Sequence, residues 1–327
     1  MQTQEMKSRD QVEEALTWDL TALFETKEAF EEAVVNLKEM VAQFETNYAG
    51  KLSDKETLLA ALNDYGAILE LHSLANQYAF LPETTDLTNP ENTQLSRKMG
   101  MTSAELSAKL SFFQSELSEI SDDQLDAVAE EKPEYASFIR LTKANKHIQL
   151  DPAVEKALAQ LSPTLHAPAD IYEQARLADM DFGTFEVDGE TYPLSFVLYE
   201  DYYMYHTDTA IRRAAFDKFS AVLKQYENVV AAAYYTKLQT EKTIATMRGF
   251  DSIFDYLLYD QEVDRDLYNR QIDTIMSDLA PVMQKYITHL KDVQGLDKVT
   301  YADLKIDLDP DYSPKVTVEE SKKRSEE

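Results

Sequence analysis

Two histidines one helical turn apart, with a glutamate beside the first, would hold a zinc ion next to a general base. The 327 residues contain five histidines, His72, His147, His166, His206 and His289, and no two lie within four positions. H-E-x-x-H is absent. His166 and Asp170 are four apart, but Pro168 between them reads as a helix start, which argues against a metal pair. His72 lies on an apolar stripe and reads as a packed histidine. His206-Thr207-Asp208 reads as a helix N-terminus. There is no cysteine, which excludes disulfides, thiolate nucleophiles and Cys-ligated metals. Carboxylates number 60, so paired acids select nothing. The acids between Glu25 and Glu32, and Asp122-Asp123, read as solvated faces or first-turn charges favoured by the helix dipole. No G-x-S-x-G elbow occurs. No residue is assigned a catalytic, cofactor-binding or metal role.

One local cluster stands out: Tyr199, Tyr202, Tyr203 and Tyr205, followed by His206. Tyrosine joins an apolar ring to a hydrogen-bonding tip. The cluster fits either a rim facing a peptide or ligand, or the packing junction between a hairpin and the helices after it. The junction is the more economical reading.

The elements that would position these residues are helices. Phe30, Val34, Leu37, Val41, Phe44 and Tyr48 recur every three or four residues, which places them on one helix face. Ser53 and Glu56 make a capping box before a second stripe, Leu58, Leu62, Tyr65, Leu69 and His72. Asn89-Pro90 reads as an N-cap followed by proline at the first helical position, opening a helix to about Leu117. Ser121 with Gln124 is another capping box. Pro133 and Pro152 each suit the first turn of a short helix. Residues 182–187 and 190–194 are β-prone runs around Asp188-Gly189, a two-residue hairpin signal. Pro193 confines the second run to an edge. Thr207 caps a long helix from Asp208 to about Met247, ended by Gly249. Another starts near Asp264 and runs past Pro281, where proline predicts a kink, to Gly295. Thr317 and Glu320 form a capping box followed by no apolar stripe. The expected fold is mainly α, an elongated multi-helix lobe with one small hairpin near 182–194.

Composition narrows the function. Lysine and arginine total 32 against the 60 acids, a net charge of −28. A field of that sign repels phosphate backbones and anionic lipid, so neither nucleic acid nor membrane is an expected partner. Glycine numbers only 7, about 2% against a usual ~7%, so Gly-rich phosphate loops are not expected. No 18-residue apolar run and no signal-peptide core is visible, so the expected location is the cytoplasm.

Four segments carry a resemblance. Trp18-Asp19-Leu20-Thr21-Ala22-Leu23-Phe24 resembles the W-D-L-x-x-L-F opening of the oligoendopeptidase F family. Tyr48-Ala49-Gly50-Lys51-Leu52 is similar to its Y-x-G-K-L. The helix from Asp208 through Arg212 and Arg213 to Phe216 is similar to its D-x-x-x-R-x-x-A-F. Tyr301-Ala302-Asp303-Leu304, with Leu308-Asp309-Pro310, resembles its Y-x-D-L…P segment. The resemblance covers the whole chain in order. It implies a zinc metallopeptidase of the thimet-oligopeptidase type that hydrolyses oligopeptides in a helical cavity. It also implies that H-E-x-x-H lies beyond Y-x-D-L…P, past these residues. The expectation is then a chain cut short inside a helix, with residues 1–195 as the N-terminal lobe and 196–327 as the incomplete start of an all-helical peptidase domain. Such a chain would bind no catalytic zinc, cleave nothing alone, and self-associate through exposed apolar surface. Two alternatives stay open: a non-catalytic helical peptide-binding module, and a subunit completed in trans by a chain carrying the zinc site.

Overall fold

The computed structural model of the chain describes residues 9–309, 312 and 316–326. Among them helices dominate and one two-stranded sheet is present, so the mainly α expectation with one small hairpin is met. The chain divides into two compact units. One comprises Lys7–Asp179 together with Asn228–Glu262, the other Met180–Glu227 together with Val263–Glu327.

The first unit is built on α1 (Lys27–Tyr48), α2 (Lys55–Thr85), α3 (Pro90–Glu119), α4 (Asp122–Glu131), α5 (Ala136–Asn145) and α6 (Pro152–Gln174). Thr26, Asn89, Ser121 and Asp151 each offer a side-chain oxygen to the free backbone N–H groups of the first turn. At α2 the cap is Asp54, which accepts from the Thr57 N–H at 2.9 Å, and not Ser53. A carboxylate beside the positive helix end is the stronger acceptor of the two candidates.

The apolar face of α1 is buried as its spacing requires, at Phe30, Leu37, Val41, Phe44 and Tyr48. In α2 the buried set is Leu58, Ala61, Leu62, Ile68, Ala75 and Ala79, while Leu69 is 46% exposed. That helix is apolar on more than one side, so a strict repeat picks the wrong member. Phe44, Tyr65, Phe113 and Phe138 meet at centroid separations of 4.7 to 6.5 Å and tie four helices into one core.

α6 packs along α3 and carries Pro163 and Pro168 inside it. Pro168 therefore does not open a helix as the sequence suggested. It is buried, and packing offsets the backbone bond it lacks. The helix also runs 23 residues from Pro152, longer than the short one expected.

In the second unit β1 (Thr184–Val187) pairs antiparallel with β2 (Glu190–Pro193), Phe185 opposite Tyr192. Asp188 at φ 52° and Gly189 at φ 84° supply the two positive dihedrals that the two-residue turn demands. α7 (Phe196–Asp201) follows. α8 (Thr209–Met247) contributes residues up to Glu227 here and the rest to the first unit, as does α9 (Ile253–Tyr259) in full. The cap of α8 is Asp208, accepting from the Ala210 N–H at 2.7 Å, rather than Thr207. α10 (Arg265–Thr274) and α11 (Ala280–Val293) are joined without a break by a π-turn, Ile275–Leu279. The turn ends two residues before Pro281, where the missing N–H disrupts regular α bonding. α12 (Val318–Glu326) starts from a reciprocal capping box between Thr317 and Glu320.

Candidate functional site

Two of the resembling segments meet in space. Asp208 caps α8, and one turn later Arg212 and Arg213 leave the same helix toward Tyr301-Ala302-Asp303-Leu304, a 3-10 turn started by Thr300. Asp303 is fully buried and Arg212 is 1% exposed. One carboxylate oxygen of Asp303 accepts from Arg212 Nη2 at 2.6 Å and Nε at 3.1 Å. The other accepts from Arg213 Nη2 at 3.0 Å and from the Thr300 N–H and hydroxyl, both at 2.8 Å. Arg212 also donates to the His206 carbonyl at 2.6 Å, and Arg213 to that of Lys298 at 2.7 Å. Burial pushes the Asp303 pKa up. The hydrogen bonds from Arg213, Arg212 and Thr300 outweigh that and bring it to about 2. This carboxylate stays ionised and saturated with donors, so it is a lock between two segments 90 residues apart in sequence and is not a proton carrier.

The tyrosine cluster resolves as a packing junction. Tyr199 stacks on Phe219 at 4.1 Å, and Tyr203 donates to the Pro193 carbonyl at 2.8 Å while its ring meets Phe185 edge-on. Both rings are buried, and burial raises the pKa of each hydroxyl, that of Tyr203 to about 12. They fix the hairpin to α8, the role favoured by their position between β-prone runs and a helix start.

The first unit holds a cavity of about 550 Å³. Its walls are Gln114 from α3, Phe138, Thr142 and Asn145 from α5, Glu155 and Leu158 from α6, and Arg248 and Tyr256 beyond α8. Arg248 grips both oxygens of Glu155, at 2.8 and 3.0 Å, and donates to the Ile148 carbonyl at 2.9 Å. Burial of Glu155 raises its pKa, but the bonds from Arg248 and the Leu150 N–H prevail and lower it. The hydrogen bond to Glu155 raises the Arg248 pKa. Both charges are thereby neutralised against each other, leaving Asp260 as the remaining carboxylate among aromatic, aliphatic, hydroxyl and amide groups. The lining is therefore mixed, polar and apolar. Sequence spacing could not reveal it, because Glu155 and Arg248 are 93 residues apart.

The histidines are scattered. His72 is half-buried, paired with the Ser103 hydroxyl at 2.8 Å, and burial lowers its pKa. His166 and Asp170 do share a face of α6, 3.7 Å apart, but both are about two-thirds exposed. Among the described residues no three His, Cys, Asp or Glu side chains are grouped so as to hold a metal ion.

The other two segments also have structural roles. In Tyr48-Ala49-Gly50-Lys51-Leu52, Tyr48 donates to Asp64 at 2.6 Å and Gly50 takes φ 75°. Lys51 caps the last carbonyls of α1 at Thr46 and Asn47, and Leu52 is buried. In the opening segment Asp19 accepts from both the N–H and the hydroxyl of Thr21, and Phe24 packs edge-on against Phe30 and Tyr78. Pro310 lies outside the described residues.

A family model described as Oligopeptidase F matches residues 116–182. The chain is similar to oligopeptidase PepF of Bacillus subtilis, 25% identical over 97% of this chain and 48% of that protein. It is also similar to an oligoendopeptidase F homolog of Borreliella burgdorferi, 24% identical over 93% of this chain and 50% of that protein. The chain thus spans about half the length of the curated relatives it matches. The crystal structure of oligoendopeptidase-F from Enterococcus faecium has the same fold, with a TM-score of 0.79 over 86% of this chain and 56% of that one. No helix among the described residues is long and apolar enough to cross a membrane.

Proposed function

We propose, with the chain taken as a member of the oligoendopeptidase F family, that it is the N-terminal part of a zinc-dependent, cytoplasmic oligopeptide hydrolase. Residues 1–195 serve as its helical lobe and 196–327 as the first part of its peptidase domain. The observation that carries this is colinear similarity across nearly the whole chain to about half of each relative. The described residues do not fit a zinc ion, so no hydrolytic step is assigned to them. Their part is architectural: the Arg212–Asp303 lock and the tyrosine junction hold helices in a fixed relation, as a peptide-processing cavity requires.

The test is hydrolysis of a fluorogenic oligopeptide by the purified 327-residue chain, with added zinc and with EDTA. The expected result is no turnover in either, and turnover once the remaining half of a relative is supplied. EDTA-sensitive cleavage by the chain alone would sink the proposal. A second reading, a non-catalytic peptide-binding module, draws on the cavity beside the Arg248–Glu155 pair. Peptide binding by a monomer that no added half renders active would favour it.

A further inference from the structure

The first unit closes with a short segment, residues 249–262, that holds α9. Both ends of it take the left-handed backbone conformation, Gly249 at φ 84° and Glu262 at φ 54°. At Gly249 this is the ordinary glycine end of a helix, with the Phe250 N–H donating to the Ala245 carbonyl at 2.9 Å. Glu262 is different, because a Cβ disfavours that conformation. Asp188 in the hairpin turn is the one other non-glycine residue described with a positive φ. Such a residue persists only where its surroundings hold it. Arg140 of α5 does so here: its guanidinium grips both carboxylate oxygens of Glu262, one of them through Nη2 at 3.2 Å.

Between those two residues the segment is lightly held. Leu258 alone is buried, and Phe254 and Leu257 are exposed. Its polar ties to α5 are the Arg140 fork and a bond from the Tyr259 hydroxyl to the Ala144 carbonyl at 2.6 Å. The Tyr259 ring also meets His147 edge-on. Tyr256 and Asp260, one helical turn apart, supply this segment's part of the cavity wall; Gln114, Thr142 and Glu155 belong to the helices that supply the rest. A segment with little buried apolar surface, set between two residues that can change φ, is the first to open. Every group in this arrangement lies within the first unit.

We infer that residues 249–262 form a strap that opens and closes the cavity, with Gly249 and Glu262 as its hinges and the Arg140–Glu262 pair as its latch. The motion needs neither zinc nor turnover, so it stands or falls apart from the hydrolytic reading. Two readouts on the purified chain test it. A seven-residue helix does not survive detached in water, so each opening exposes the α9 amides to hydrogen exchange. The chain has no cysteine, so Thr142→Cys places a single thiol at a 7% exposed position in the cavity wall. Its labelling rate follows the same opening. Both rates should exceed what global unfolding allows. Arg140→Met should speed both together by about two- to fivefold, the worth of one exposed ion pair. Gly249→Ala should speed both by about fivefold or more, because a Cβ strains the closed hinge. Lys55→Met, which removes an exposed pair with Glu131 elsewhere in the unit, should change neither. Exchange of the α9 amides only at the rate of global unfolding overturns the inference. So does an Arg140→Met variant in which either rate is unchanged, or a Lys55→Met variant that speeds both equally.

Discussion

Asp303 concentrates more interaction than any other side chain described above. Six donors converge on a carboxylate without solvent access. Removing one member of such a buried pair leaves the other charged and uncompensated, which costs about 3–5 kcal/mol. Asp303→Ala should therefore lose that much by denaturant unfolding of the second unit, and Asp303→Asn somewhat less, since the amide oxygen still accepts. The pH dependence has a definite sign. The folded pKa, about 2, lies below the unfolded value of ~3.9. The stabilisation is therefore present in full above about pH 4 and drains away as pH falls from there through 2. The parent should lose stability across that window more steeply than Asp303→Asn, which has no carboxyl to protonate. Equal acid profiles for the two proteins would mean that the lock contributes nothing to the acid limb. Neither Arg212 nor Asp303 announces a partner in the sequence. Only the likeness of their two segments to one family marked them, and the structure supplies the reason: an ion pair across 91 positions.

Elements were more legible than contacts, and their ends more legible than their faces. Caps are local chemistry. An oxygen-bearing side chain two or three residues before a free N–H satisfies it wherever the helix lies. Asn89, Ser121 and Thr317 act at the positions their sequence predicts. The errors are shifts of one residue, where two side chains with oxygen acceptors stand side by side. Asp54 caps α2 in place of Ser53, and Asp208 caps α8 in place of Thr207. Asp54→Ala should cost about 1 kcal/mol of stability and Ser53→Ala a few tenths at most; thermal melts of the two variants rank them, and the reverse order would restore Ser53 as the cap. The hairpin was legible for the same reason, since Asp188-Gly189 encodes its positive dihedrals locally. Pro168 lies inside α6 because proline marks a helix boundary only where no packing compensates for it. The burial of α6 against α3 is a tertiary fact that spacing does not contain. The cavity was illegible on the same ground: its walls come from segments more than a hundred residues apart, such as Gln114 and Arg248.

At the scale of the whole molecule, charge and apolar surface act against each other. A net charge of −28 and a pI near 4.5 make copies repel at neutral pH. Exposed Ile275, Met276, Leu279 and Val282, between 46% and 67% open to solvent, draw them together. The repulsion is long-ranged and reaches about 30 Å at 0.01 M salt, but only about 3 Å at 1 M. The apolar attraction is a contact effect and is strengthened by salt if anything. Raising salt at pH 7 should therefore increase the weight-average mass seen by light scattering. Lowering the pH from 7 toward 5 should do the same, because protonating carboxylates removes the like charge while the apolar face stays as it was. The Asp303 lock is still engaged at pH 5, above the window in which it weakens, so loss of that ion pair does not drive association there. A mass that falls as salt rises would reverse the ranking of the two forces, placing ion pairs rather than apolar contact at the centre of association.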